Sequence, residues 1–328
     1  MNDPVAARVS VVVPTYKRPD LLERCLSALQ RQTLAPRDYE IVVCDDGPSE
    51  AARRVVERAR TAQPLGAPIR YIEVRETQGP AAARNRGWEC ASGAIIAFTD
   101  DDTVPDAAWL ERGLSAMSSG ADAATGRIEM PLPEAPTDLE LDAAGLTRAE
   151  FVTANCFVRR EVLQAVGGFD ERFSMAWRED SDLHFKLIEG GYTIVRVDSA
   201  LVVHPLRPMP FAAGIGMQKK VLYDVLLYRK HPQLYRQRIR PAPPWKYLFI
   251  STALVIGLAL LVLGRWAEGV FFLATWLAAT LLFFLKRLAR SAKTRRNIAE
   301  LFLTSLVIPP LSVYWRLVGV GRFGPGFP

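Results

Sequence analysis

At 328 residues the chain is long enough for a full α/β domain and further segments, and its formal charge of +6 conceals two opposite halves. Residues 1–204 carry 23 Lys and Arg against 32 Asp and Glu, whereas residues 205–328 carry 18 against 3. The charges of the basic half flank apolar runs, which favours an anionic membrane surface over nucleic acid, and the four cysteines show no metal or redox spacing, so reduced core thiols are expected.

The β-branched run Val9–Val13, ending at Pro14, predicts a buried parallel strand, and it is too short for a signal sequence. Leu21, Leu22, Cys25, Leu26 and Leu29 then recur at helical spacing behind Pro19-Asp20. A second strand, Glu40–Cys44, runs into Asp45-Asp46-Gly47, and a charged helix is expected from Ser49 to Thr61. Strand Ile69–Val74, a helix from Pro80 to Cys90 and the apolar run Ala94–Phe98 complete a β-α-β-α-β-α-β alternation. That alternation predicts a doubly wound, mostly parallel sheet with its ligands beyond the carboxyl ends of the strands.

Three strand ends therefore meet: Pro14-Thr15-Tyr16, Asp45-Asp46 and Asp100-Asp101-Asp102. In a still-extended chain Asp100 and Asp102 would face one way, suited to a hard divalent cation, Mg²⁺ or Mn²⁺, bridging to a diphosphate. The competing expectation is that these acids cap a helix beginning near Pro105. Tyr16 offers a face for a base, and Asp46 an acceptor for a base or ribose donor. Neither a dinucleotide-binding glycine pattern nor a P-loop is present.

Ile128–Glu150, rich in Pro, Glu and Asp, is expected to be a loop over the cleft or a solvated excursion. Thr153–Arg160, which includes Asn155, should carry a strand into a helix, and Gly167-Gly168 a tight turn. After Trp177, Glu179 and Asp180 open a helix whose buried face carries Leu183, Leu187 and Ile188. A carboxylate there is held ionised by the helix terminus, which suits a proton acceptor while weakening it as a base, and which also suits a cap. His204 closes the run Leu201–Val203 as a metal ligand, a diphosphate contact or an edge histidine; His184 and His231 read as structural.

Phe211–Tyr228 is either an interfacial helix or one that closes the domain. Tyr247–Gly264 and Gly269–Leu285 read as a transmembrane hairpin. Arg236, Arg238, Arg240 and Lys246 precede it, and Lys286, Arg287, Arg290, Lys293, Arg295 and Arg296 follow, placing both ends in the cytoplasm of a bacterial-type inner membrane. Leu301–Trp315, interrupted by Pro309-Pro310, is left open as a short span, a re-entrant piece or an interfacial helix. The expected division is a domain over 1–204, a basic linker over 205–246 and a membrane region over 247–328, with apolar segments 247–264, 269–285 and 301–320.

Four segments in order resemble a family 2 glycosyltransferase: Val9–Arg18, Ile41–Gly47, Gly79–Gly87 and the Asp100-x-Asp102 signature. The resemblance covers roughly residues 8–204. It implies a GT-A fold, a Rossmann-like mostly parallel sheet flanked by helices, with C-terminal transmembrane helices behind it. It implies an inverting enzyme that passes one sugar from a nucleotide-sugar donor to a lipid-linked or glycan acceptor. On that pattern Pro14, Thr15, Tyr16, Asp46, Arg84, Asp100 and Asp101 bind donor, and Asp102 and Asp100, with His204, hold the cation. Asp180 is the base, Glu179, Trp177 and Asn155 stand on the acceptor side, and Asp101 occupies the variable position. No Gln-x-x-Arg-Trp signature of polymer synthases follows His204. A nucleotidyltransferase or a non-catalytic membrane scaffold on the same fold are the rival readings.

Overall fold

A computed structural model describes residues 8–328. The chain divides into two compact units, one comprising the residues up to Pro131 together with Gly145–Leu206, the other Leu132–Ala144 and Arg207–Pro328.

In the first unit, β1 (Val9–Thr15), α1 (Pro19–Leu29), β2 (Tyr39–Asp45), α2 (Glu50–Ala62), β3 (Ile69–Glu73), α3 (Pro80–Cys90) and β4 (Ile95–Phe98) follow the expected alternation. β1 pairs in parallel with both β2 and β4, and β2 with β3. β2 is buried along its whole length, as a near-continuous Val/Ile run covered on both faces must be. α3 presses onto β1 at Gly87, where a Cβ would stand 2.4 Å from Val12 Cγ1. That close approach sinks Arg84, one turn earlier, into the interior.

β5 (Val104–Pro105), α4 (Trp109–Ser118) and β6 (Ala123–Glu129) follow. The chain then leaves for α5 (Asp138–Ala143), which belongs to the second unit. It returns through β7 (Cys156–Arg159), α6 (Arg160–Val166), α7 (Glu179–Glu189) and β8 (Ile194–Val203). The strand order is β3-β2-β1-β4-β7-β6-β8-β5, with β7 antiparallel to β4 and β6, and β8 parallel to β6 but antiparallel to β5. The sheet is thus parallel through its first half and mixed beyond β4. Gly167 and Gly168 take φ of 71° and 55°, the left-handed turn expected of them.

The helix expected near Pro105 begins four residues later, because Pro105 is a strand residue paired with Val202. Asp106, rather than any of Asp100–Asp102, serves that helix start, accepting from Ala108 N at 3.0 Å. Cys25, Cys44 and Cys156 are buried thiols. His184 is a core residue stacked 5.2 Å from Phe151, and His231 is buried as well.

The second unit holds α8 (Ala213–Met217), α9 (Leu222–Lys230), α10 (Pro232–Leu234), α11 (Trp245–Val262), α12 (Trp266–Leu288) and α13 (Arg295–Phe323). The last three are long and apolar enough to cross a membrane. α11 and α12 form the expected hairpin, interlocked where Gly257 meets Leu273 and Gly269 meets Leu261. α13 runs unbroken through Pro309-Pro310.

Two expectations are corrected here. The Pro- and Asp-rich excursion is no simple loop: Thr137 and Glu140 form a capping box on α5, Ala292 N donates to Pro136 O at 2.7 Å, and Arg287 grips Asp138 at 2.8 and 3.0 Å. A charged segment can dock on apolar helices because α12 ends in a cation. Phe211–Tyr228 is not one helix but α8, a 3₁₀ turn and α9, which packs on α13.

Candidate active site

β4 stops opposite Val12, three residues before β1 ends, so Thr99–Asp102 continue beside the tip of β1. There the chain turns. Thr103 donates to the Asp100 carbonyl through both its amide (3.2 Å) and its hydroxyl (2.8 Å). Asp100 and Asp102 therefore converge through a turn, where extended-strand alternation had been expected. The β5–β8 pairing sets Val104 opposite Val203 and so delivers His204 to the same place.

Ligand atoms of Asp100, Asp102 and His204 lie within 4.8 Å of one another. His204 Nε2 is 3.3 Å from Asp102 Oδ1, and its Nδ1 is buried with no hydrogen-bond partner. Two carboxylates and an imidazole with an orphaned nitrogen form a donor set that fits a divalent cation.

The middle acid faces the other way. Asp101 is 3% exposed and accepts from the Thr15 hydroxyl at 2.7 Å. Burial pushes its carboxyl up to about 6, against the pull of Thr15 and Arg18. Both residues were expected to contact donor. Here they tie the end of β1 to the acidic turn, since a turn, unlike a strand, points consecutive side chains around its rim. Arg18 stands 3.4 Å from Asp101 and 3.6 Å from Asp102, a site cation that the sequence reading missed. Its only sequence signal is the basic pair Lys17-Arg18 directly after the first strand.

Tyr16 is 49% exposed, with Lys17 Nζ 5.0 Å from its ring centroid, and Pro14 is half-buried before it. Asp46 Oδ1 accepts from Gly79 N at 2.7 Å and so braces the start of α3. Asp45 holds the loop itself, accepting from Ser49 N (3.0 Å) and the Tyr71 hydroxyl (2.7 Å).

Arg84, expected against nucleotide or phosphate, is 3% exposed and spans the interior. One amino group donates to Asp100 at 2.7 Å, the other to Glu179 at 3.1 Å. A guanidinium so committed links the acidic turn to the start of α7.

α7 begins after Arg178, whose φ of 77° is left-handed and whose guanidinium lies 4.6 Å from the exposed Trp177 ring. Burial raises the Glu179 carboxyl above the ordinary range, with Arg84 opposing it. Burial raises Asp180 too, against the Ser181 amide at 2.6 Å, Arg178 and Arg84. The helix terminus had been expected to dominate and weaken this base. Desolvation wins, and the Asp180 carboxyl holds a proton more tightly for it.

Asn155 is a correction. It is 0% exposed, accepts from Trp109 Nε1 at 2.8 Å, and donates to the Arg127 and Ala200 carbonyls, both at 2.9 Å. Its amide pins β6, β8 and α4 together and, fully buried, has no exposed surface to offer a substrate.

Residues 10–166 match the family model Glycosyl transferase family 2, and residues 138–286 match Glycosyl transferase family group 2. The chain is 31% identical over 240 residues to glycosyltransferase AglE of Haloferax volcanii, covering 68% of this chain and 77% of that protein. It is 35% identical over 96 residues, 29% of each chain, to a GalNAc(5)-diNAcBac-PP-undecaprenol beta-1,3-glucosyltransferase of Campylobacter jejuni. Its fold resembles that of the mannosyltransferase PcManGT from Pyrobaculum calidifontis, solved with GDP-Man and Mn²⁺, with a TM-score of 0.57 at 19% identity over 98% of this chain and 88% of that one.

Proposed function

The chain belongs to glycosyl transferase family 2 and is a nucleotide-sugar-dependent glycosyltransferase of GT-A fold; from that premise we propose that it moves one sugar, with inversion, onto a lipid-linked or envelope-glycan hydroxyl. The observation that carries this reading is the single charged chain from Asp102 and His204 through Asp100, Arg84 and Glu179 to Asp180. It sets a diphosphate end and a proton-accepting end in one unit.

Asp102, Asp100 and His204 would hold the divalent cation, and the imidazole in the set favours Mn²⁺ over Mg²⁺. When bound, the cation neutralises charge gathering on the departing nucleoside diphosphate. Asp180 accepts the acceptor hydroxyl's proton as that oxygen bonds to the anomeric carbon. The bond from that carbon to the diphosphate breaks on the opposite face, which inverts the configuration. Tyr16, exposed at the tip of β1, offers the surface on which the nucleotide base stacks. Arg18 is placed to meet the diphosphate oxygens.

The apolar helices support an acceptor carried on lipid, and the Campylobacter relative is named for an undecaprenol-linked substrate. The basic residues flanking the hairpin support a cytoplasmic catalytic unit.

A nucleotide-sugar panel, read by which nucleoside diphosphate is released with and without Mn²⁺, tests the donor and the metal. In Asp180→Asn, kcat should fall about 10²- to 10⁴-fold while calorimetry finds donor affinity within twofold. Unchanged turnover would remove Asp180 from the base role.

A further inference from the structure

Length and composition admit α13 as a third span. Its faces and its neighbours say otherwise. The buried stripe of α13 carries Asn297, Thr304, Ser305, Ser312 and Arg316 at helical spacing, interleaved with Leu301, Ile308, Pro309 and Gly319. The opposite face exposes Phe302 (56%), Leu303, Tyr314 and Leu317 (57%) with no charged side chain among them.

We propose that α13 lies in the plane of the membrane surface, polar face on the protein and apolar face in lipid, so that the chain crosses the bilayer twice and not three times.

The packing along α13 carries the argument. Thr304 and Ser305 accept from Arg287, in the last turn of α12, at 2.9 and 3.0 Å. Twelve residues further, about 18 Å along the axis, Arg316 is 3.4 Å from Asp224 of α9. Trp315 lies 5.9 Å from Lys219 Nζ, a Cβ on Gly319 would stand 2.8 Å from Val225, and the Phe327 carbonyl accepts from Arg236 at 3.1 Å. An upright α13 would therefore carry Lys219, Asp224 and Arg236 into hydrocarbon, where ionised side chains are costly passengers. α9 is nine residues long and cannot cross with it. Among the described residues, no helix before α11 is long and apolar enough to span, so the 218–240 segment stays on the side from which α11 departs. α13 is joined to the near end of α12 and to that segment at once, and only an in-plane course satisfies both.

The hairpin behaves as spans do. Its far half exposes Leu258, Val262, Trp266 and Phe271 all round, packed only helix on helix. Lipid is the occupant argued for α13 because its apolar face is continuous in chemistry with that hairpin. Arg295, Arg296 and Arg322 flank the face at both ends, as anionic head groups require. An amphipathic helix of this kind sinks its apolar face roughly 5–10 Å into the head-group boundary. The inference is independent of the sugar-transfer reading, since its test measures no turnover.

The full-length protein in sealed vesicles, carrying one added cysteine, is treated with a membrane-impermeant polyethylene-glycol maleimide, and the extra mass tag is counted against the parent. A cysteine appended after Pro328 and Asp198→Cys should tag from the same face, and Ala267→Cys from the other. If the appended cysteine tags with Ala267→Cys, α13 is a span and the proposal is overturned. Nitroxides on Ala299→Cys, Leu306→Cys and Leu317→Cys, spread over about 27 Å of helix, should all report one shallow depth. A deep centre would overturn the in-plane course. Spin–spin broadening with low lipid contact would assign the face to a second copy and overturn the lipid assignment.

Discussion

The two acidic groups of the catalytic unit share a chemistry and are handled oppositely. Asp100-Asp101-Asp102 sits on a turn in which every carboxylate has a cationic or hydroxyl partner, from Arg84, Thr15, Arg18 or His204. Glu179-Asp180 sits at a helix start where burial outweighs the partners and lifts both carboxyls. The first arrangement turns Asp100 and Asp102 toward His204 and gives Asp101, whose carboxyl burial also raises, to Thr15. The second raises the carboxyl of Asp180, the proposed proton acceptor, above its ordinary range, the direction that strengthens a general base. Arg84 is the one side chain that touches both.

The largest test of that contrast removes the metal end. Asp102→Ala should lower kcat/KM by about 10³-fold or more, with no rescue by raised Mn²⁺ in steady-state assays. Activity that returned with added Mn²⁺ would make Asp102 an affinity residue only.

The bridge comes next. Arg84→Met strips a buried cation from between the buried Glu179 and the part-buried Asp100, a class of change that costs about 3–5 kcal/mol in denaturant unfolding. It should also move the pH profile. Asp180 accepts a proton only when ionised, and Arg84 holds its pKa down against burial. The acid limb of kcat/KM, already above the usual Asp value of about 3.9, should shift to higher pH in the variant. Stability follows the same sign. A carboxyl raised by burial contributes most below its ordinary value and loses that contribution as pH rises through the raised one. Thermal unfolding of Arg84→Met should therefore worsen between acid and neutral pH more than in the parent. A limb that stayed in place would separate Arg84 from the base.

The smallest effect is at the middle acid. Asp101→Ala leaves the Thr15 hydroxyl without its buried acceptor, and should cost about 1–3 kcal/mol of stability by denaturant titration. Its turnover at saturating donor should fall far less than that of Asp102→Ala. If Asp101 proved the more damaging to catalysis, the register of the cation site would be wrong.

Much of this architecture was legible in the residues. The runs Val9–Val13 and Glu40–Cys44 are β-branched and buried on both faces, and local pattern suffices for such strands. Tyr16, read as offering a face to a base, is exposed, and Glu179 opens α7 as its sequence suggests. Misreadings came where a residue's partner lies far off in sequence. Asn155 looked like a polar residue near a cleft, but its three partners lie 28 to 46 positions away. Pro105 looked like a helix start, because nothing nearby announces that Val202 will pair with it. The acidic excursion looked like a free loop, because Arg287 lies 149 positions on.

The sequence by itself determined the alternating strands and helices of the first half, the acids at the strand ends and the apolar hairpin, since each follows from periodicity or composition over a short window. Only the tertiary structure decided that Asp101 is tied to Thr15, that Arg84 is an interior link, that desolvation governs Asp180, and which face of α13 meets the protein. Those outcomes depend on burial and on long-range pairing, which act through space. In α13 the same residues would serve a span or a surface helix, and the argument for the second rests on the pairing of Arg316 with Asp224 and of Thr304 with Arg287.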